Sequence, residues 1–230
     1  VRGRFASDGD FYPFRDDGAG ELQDGYDTIE WAAAQPWCDG KVGMMGGSYS
    51  GATQYQAARS RPPHLVAQFV RESSADYYHE WVHRGGAHEH GFSLYWVRTV
   101  THMNLAHLVP ADELEAQTAR FETILADIDT WYKRLPVYPC SFVEGLSDWH
   151  NDFLAHTQQG PYWRNLAVDS DHDQIETPIY HLGGWYDIFL AGTLKNYMGL
   201  RDNARTEVAR SSQKLIIGPW IHGPTRTNVS

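Results

Sequence analysis

Lys41-Val42-Gly43-Met44-Met45-Gly46-Gly47-Ser48-Tyr49-Ser50-Gly51-Ala52 is the stretch whose reading decides the fold. Val42–Met45 predicts a short apolar strand, Ser48 the tip of a glycine-flanked turn, and the residues through Thr53 to Arg59 a helix. So tight a strand-to-helix turn forces its tip residue into a strained backbone conformation, and small neighbours let strand and helix approach. The product is an exposed hydroxyl at the head of a sheet. The N–H of the next residue sits at a helix N-terminus, where partial positive charge favours an oxyanion. Ser48 is therefore the candidate nucleophile and the backbone N–H of Tyr49 the candidate oxyanion donor. Glycine is delayed from position 50 to Gly51, so the stretch alone also suits a plain glycine-rich loop.

Working outward, Glu21 to Gln35 predicts an amphipathic helix with Leu22, Tyr26, Ile29 and Ala33 on one face, stopped by Pro36. Residues 1–20, punctuated by Gly3, Gly9, Pro13, Gly18 and Gly20, read as a loop leaving a strand that precedes Val1. Downstream, Pro62-Pro63 ends the helix after Ser48, and Leu65–Val70 suits a buried parallel strand. From Asp76 to about Asp169 strand signals vanish. Between Pro110 and Leu135, Leu114, Phe121, Ile124, Leu125, Ile128 and Trp131 fall at helical spacing, as expected of an inserted helical lid. Strands resume at Pro178–Gly184 and Lys214–Ile217, with a helix from about Gly192 to Leu200 between them. Strand alternating with helix predicts an α/β fold on a mostly parallel sheet. The expected division is a core of residues 1–76 and 171–230 with a helical cap over 77–170.

A chain of 230 residues suits one large domain carrying such an insertion. Its net charge of −10, without a lysine-arginine stripe, argues against nucleic acid or an anionic membrane as partner. No run of about 18 apolar residues is present. Val1-Arg2-Gly3-Arg4 matches neither a signal peptide nor an initiator methionine, so the natural protein is expected to begin upstream. Cys38 and Cys140 lie far apart outside any C-x-x-C pattern and read as free thiols, which leaves the compartment open. Aromatic residues make up 13% of the chain, more than a core of this size needs, so some are expected to line an apolar pocket.

Three predicted strands end in the residue types that serine chemistry requires: Ser48, Asp187 and His222. Parallel sheets place ligands at the carboxyl ends of their strands, so the three converge on one rim. A hydroxyl needs an imidazole to remove its proton, and a carboxylate to hold the imidazole tautomer and stabilise the imidazolium. The order Ser, Asp, His is that of α/β-hydrolases. Asp76 also follows a strand and is the rival acid; Asp187 is preferred because its place in the chain fits that order. Singly, Asp187 could be a helix N-cap and His222 a surface histidine. His79, His83, His88 and His90 raise a metal reading, but Gly85 and Gly86 interrupt them and no further ligand completes a pattern, so they are taken as polar lid surface and no metal or cofactor is expected. Glu113, Glu115, Glu122 and Asp127 read as the solvated face of the long lid helix.

Val1-Arg2-Gly3-Arg4-Phe5-Ala6-Ser7-Asp8-Gly9, the Ser48 turn, Gly184-Trp185-Tyr186-Asp187 and Gly218-Pro219-Trp220-Ile221-His222 together resemble the X-Pro dipeptidyl-peptidase S15, or CocE/NonD, group of serine hydrolases. The delayed glycine is that group's own form of the turn. The resemblance implies an α/β-hydrolase core, Ser48 as nucleophile, Asp187 as acid, His222 as base and the Tyr49 N–H as an oxyanion donor. It further implies an acyl pocket of aromatics, offered here by Trp81, Trp96 and Phe189. It places a second oxyanion donor, a tyrosine hydroxyl, upstream of Val1 and a C-terminal jelly-roll after Ser230. Missing early strands would leave the Ser48 strand with an unpaired edge.

Relatives acting on α-amino acid esters carry extra carboxylates just after the triad acid, where this chain has Ile188, Phe189 and Leu190; an apolar follow-on cannot pair a cation and favours neutral acyl groups. The expected partner is thus a small-molecule ester or amide, with a homo-oligomer left open. Two alternatives stand beside an esterase: an X-Pro dipeptidyl-peptidase or acyl-amide peptidase using Glu80 or Glu89 for the substrate ammonium, and a non-catalytic binding domain that retains the fold.

Overall fold

The computed structural model describes residues 1–223, which divide into two compact units. One comprises Phe14–Trp81 and the chain from Pro161 onward; the other comprises Val1–Pro13 and Val82–Gly160. In chain order the strands are β1 (Val42–Gly47), β2 (Leu65–Arg71), the two-residue β3 (His83–Arg84) and β4 (Ala87–His88), β5 (Ile179–Tyr186) and β6 (Lys214–Ile221). The helices are α1 (Asp24–Ala33), α2 (Tyr49–Arg59), α3 (His90–His102), α4 (Leu105–Leu108), α5 (Leu114–Ala126), α6 (Ile128–Tyr132), α7 (Asp148–Ala155), α8 (Pro161–Leu166), α9 (Leu190–Asn203) and α10 (Glu207–Ser211). No helix among the described residues is long and apolar enough to cross a membrane.

The first unit is an α/β sheet in the order β1-β2-β5-β6, with every neighbouring pair parallel. Each predicted strand is present, and β5 and β6 run further toward their carboxyl ends than their apolar runs suggested. Helix α2 lies close on the sheet because its buried residues include Gly51, Ala52, Ala57 and Ala58. Its Gln54 carbonyl accepts the amide of Gln68 on β2 at 2.7 Å.

Beneath α2 a fully buried histidine joins three elements. The Tyr55 hydroxyl donates to His181 Nδ1 at 2.8 Å, and His181 Nε2–H donates to Gln213 Oε1 at 2.8 Å. The neutral imidazole satisfies both ring nitrogens, and burial pushes its pKa down to about 4.

The second unit is helical, with the small β3–β4 hairpin in a segment where the sequence carries no strand signal. Two-residue strands are too short to show a period. Phe142 centres its core, meeting Phe121 and Trp131 edge-on at 5.9 and 5.0 Å. Residues 1–13 belong here rather than with the sheet, as the sequence had placed them. Asn104 holds them by both ends of its amide, donating to the Gly3 carbonyl at 2.7 Å and accepting the Phe5 N–H at 2.9 Å. Arg4 donates to the Val100 carbonyl at 2.9 Å.

Replacing His181 by Leu strands the Tyr55 hydroxyl and the Gln213 carbonyl in the core. The expected loss is about 2–4 kcal/mol of unfolding free energy, read from urea denaturation at neutral pH.

Candidate active site

Each of the four parallel strands delivers one polar residue just past its carboxyl end: Ser48 after β1, Glu72 after β2, Asp187 after β5 and His222 after β6. Ser48 adopts φ 58° and ψ −124°, the strained geometry that the turn demands. Its N–H donates to the Arg71 carbonyl at the end of β2 at 3.0 Å, and its carbonyl accepts from Gly51, Ala52 and the Ser73 hydroxyl. A Cβ on Gly51 would stand 2.7 Å from that of Ser73, so only glycine lets the start of α2 pass the end of β2. Tyr49 opens α2, which puts its backbone N–H at a helix N-terminus.

The structure brings the three sequence-predicted residues together. His222 Nε2 lies 2.9 Å from Ser48 Oγ and His222 Nδ1 lies 2.8 Å from Asp187 Oδ1. With the proton on Nδ1, the imidazole donates to Asp187 and accepts the serine proton, and both contacts are satisfied at once. The Asp187 side chain is fully buried, and the Phe189 N–H also donates to its Oδ1 at 3.1 Å. The His222 side chain keeps 27% of its surface exposed, so the imidazole is reachable from solvent. Asp76 is spoken for elsewhere: its Oδ1 accepts the N–H groups of Tyr78 and His79 at 2.8 and 3.1 Å.

Trp81 and Phe189 are stacked with ring centroids 4.4 Å apart, and Phe189 meets the His222 ring edge-on at 5.0 Å. Both are almost completely buried. Trp96 lies in the helical unit, its indole against Trp149 at 5.1 Å. Glu80 has its carboxylate engaged, with Oε2 accepting from the Ser74 hydroxyl and the N–H groups of Ala75 and Asp76. Glu89 is paired with Arg84 at 2.7 Å.

The histidine segment differs from the expected polar surface. His79 lies in the sheet unit, while His83 and His150 are buried in the helical one. The rings of His83 and His90 stand 5.6 and 5.7 Å from that of His88. Desolvation, then the neighbouring imidazoles, push His88 down to about 4 and His150 down to about 3, so these rings are neutral at physiological pH. Among the described residues, the group of three potential ligands whose donor atoms close to within 4.8 Å is instead Glu72, Asp187 and His222.

Two acids at the site escaped the sequence reading. Asp17 accepts the Tyr49 hydroxyl at 2.6 Å, while that hydroxyl accepts the Phe14 N–H at 3.2 Å. Burial, only partly offset by this bond, raises Asp17 from 3.8 to about 6. Glu72 is 2% exposed, and its Oε2 accepts the Gly223 N–H at 3.0 Å. A strand-end rule could have found Glu72, had β2 been carried one residue further to Arg71.

The sequence model of the X-Pro dipeptidyl-peptidase (S15 family) matches residues 1–224. The chain belongs to this S15 family. Cocaine esterase of Rhodococcus sp. (strain MB1 Bresler) is 33% identical over 225 residues, 96% of this chain and 37% of that protein. The S15 chain thus spans little more than a third of that curated relative. An aminopeptidase from the marine sediment archaeon Thaumarchaeota archaeon superposes with a TM-score of 0.69 at 22% identity, covering 97% of this chain and 37% of its own. A CocE/NonD family hydrolase from Staphylococcus aureus does so at 0.65 and 24%, covering 94% and 31%. Both establish the α/β fold of the S15 chain, as the sequence predicted.

Asp17 supplies a pH test of the support behind Tyr49. A carboxyl raised on folding stabilises fully below pH 3.8 and loses that contribution as pH climbs through about 6. Asp17→Asn does not titrate, so its stability relative to wild type should grow by about 3 kcal/mol across that window and stay level above it. Paired urea titrations at acid and neutral pH check this.

Proposed function

We propose that the S15 chain carries the catalytic triad of a serine hydrolase that cleaves carboxylic esters of neutral acyl groups through an acyl-Ser48 intermediate. The observation that carries this is the continuous relay Ser48 Oγ, His222 Nε2, His222 Nδ1, Asp187 Oδ1, with contacts of 2.9 and 2.8 Å. His222 Nε2 takes the serine proton as Oγ attacks the carbonyl carbon, and Asp187 stabilises the imidazolium that forms. The Tyr49 N–H, aided by the α2 dipole, donates to the oxyanion. Collapse breaks the ester bond, and the alkoxide leaves with the proton from His222. Water, deprotonated by the same imidazole, then attacks the acyl-serine and restores the hydroxyl.

A neutral acyl group is favoured because Ile188, Phe189 and Leu190 follow the acid with no carboxylate among them. The relatives' own descriptions, a cocaine esterase and an aminopeptidase, span ester and amide chemistry. An aminopeptidase or dipeptidyl-peptidase needs a carboxylate for the substrate ammonium, and Glu80 already accepts three hydrogen bonds. Trp81 and Phe189, against His222, are the candidate floor of the acyl site.

In the full-length natural protein, a fluorophosphonate probe should label Ser48, and Ser48→Ala should abolish both labelling and hydrolysis of p-nitrophenyl esters. Asp187→Asn should lower kcat by about a thousandfold or more, because the amide can present its N–H to Nδ1 and so favour the wrong tautomer. Folded protein that takes no label would refute the reading. Faster turnover of X-Pro anilides than of esters would transfer it to the peptidase alternative.

A further inference from the structure

Glu72 has three properties that a passive buried residue lacks. Its backbone lies in the left-handed region at φ 49°, a conformation that costs energy for any residue with a side chain. Its side chain is buried at the carboxyl end of a central strand, on the same rim as the triad. One of its carboxyl oxygens, one of Asp187's and a ring nitrogen of His222 lie mutually within 4.8 Å.

The hydrogen-bond inventory is complementary. Asp187 uses Oδ1 for His222 Nδ1–H and the Phe189 N–H, while Glu72 uses Oε2 for the Gly223 N–H. Among the described residues nothing hydrogen-bonds the buried Asp187 Oδ2 or the buried Glu72 Oε1. Two buried carboxylates within 4.8 Å repel each other when both are ionised, and an acceptor left bare in the interior is costly. A single proton on Glu72 Oε1 resolves both problems, since it gives Asp187 Oδ2 a donor and removes one of the two charges.

We propose that Glu72 is a positioning residue of the triad, a neutral carboxylic acid that donates to Asp187 Oδ2 while its carbonyl oxygen holds the loop after His222 through Gly223. The proposal rests on the triad reading above and adds a fourth group to it. Desolvation is the main cause raising the Glu72 pKa; the Gly223 N–H opposes it, the Asp187 charge adds to it, and His222 and Arg71 oppose it. By drawing on Asp187's electron density, the donor moderates how strongly that carboxylate favours the imidazolium.

Glu72→Gln preserves the pattern, with the amide carbonyl accepting from Gly223 and the amide N–H donating to Asp187. Glu72→Ala removes both contacts. In the full-length protein, with a p-nitrophenyl ester as substrate, E72Q should keep kcat within about threefold and leave the acid limb of the kcat/KM pH profile in place. E72A should lower kcat about tenfold or more with KM within about twofold, and move that acid limb up by about half a pH unit or more. Its downfield His222 Nδ1–H proton resonance should shift, and that of E72Q should not. An E72A acid limb superimposed on wild type, or E72Q behaving like E72A, would overturn the proposal while wild-type labelling at Ser48 leaves the triad standing. Wild-type protein that takes no fluorophosphonate would overturn both. Thermal unfolding of the near-isosteric E72Q supplies the folding control.

Discussion

The conformation of Ser48 is the constraint on which the sheet unit depends. A residue at φ 58° and ψ −124° costs on the order of 1–3 kcal/mol and persists only where its surroundings leave no alternative. Here the surroundings are the end of β2. The Arg71 carbonyl takes the Ser48 N–H, the Ser73 hydroxyl donates to the Ser48 carbonyl, and Glu72 between them is itself left-handed. Hydrogen bonds from the residues on either side of Glu72 thus hold the Ser48 turn, two strained residues standing past the ends of adjacent strands. A hydroxyl carried on a backbone held this way has less freedom to lose on reaching an attacking geometry.

Burial of ionisable groups around that turn follows one logic. His181 is neutral under α2, Asp17 is raised to about 6 behind Tyr49, and Glu72 is raised behind Asp187. A buried charge without a partner costs far more than a neutral group with one, so each of these titrates toward its uncharged form and serves through hydrogen bonds. Asp187 faces an imidazole and a backbone N–H, both of which can donate to its oxygens. Neutral neighbours around it concentrate the effect of its charge on His222.

Ser48, Asp187 and His222 were legible because a parallel sheet maps chain order onto strand ends, and because the S15 resemblance pointed to the same three residues. Glu72 was missed because the apolar run ends at Val70, one residue short of the end of β2, and a glutamate gives no sign of a left-handed backbone, as glycine or asparagine would. Asp76, four residues on, was the strand-end acid read as the rival to Asp187, and in the fold its carboxylate is occupied by two backbone N–H groups. The grouping of residues 1–13 with the helical unit depends on Asn104, a partner about a hundred positions away that no local pattern can announce. The burial of His83 and His150 was hidden for a related reason: histidine's polarity argues for the surface, and its neutral form is admitted to the core only when packing is known. Trp96, which the resemblance implied beside Trp81 and Phe189, packs on Trp149 within the helical unit.

The meeting of Asp187 with His222 depends on a local irregularity of the last strand pair. Strands β5 and β6 run in step from Tyr180 opposite Lys214 to Gly184 opposite Gly218, then slip, so that Tyr186 stands opposite Ile221. The slip gives β6 an extra residue over that interval, which holds His222 back to the level of Asp187. It is possible because Gly184 has no side chain: a Cβ there would lie 2.2 Å from the Trp220 carbonyl oxygen. A regular ladder would carry the imidazole one residue past Asp187, level with Ile188, with its face of the sheet reversed. Gly184, read from the sequence only as part of the strand, is therefore what lets the Asp187 carboxylate meet the His222 imidazole.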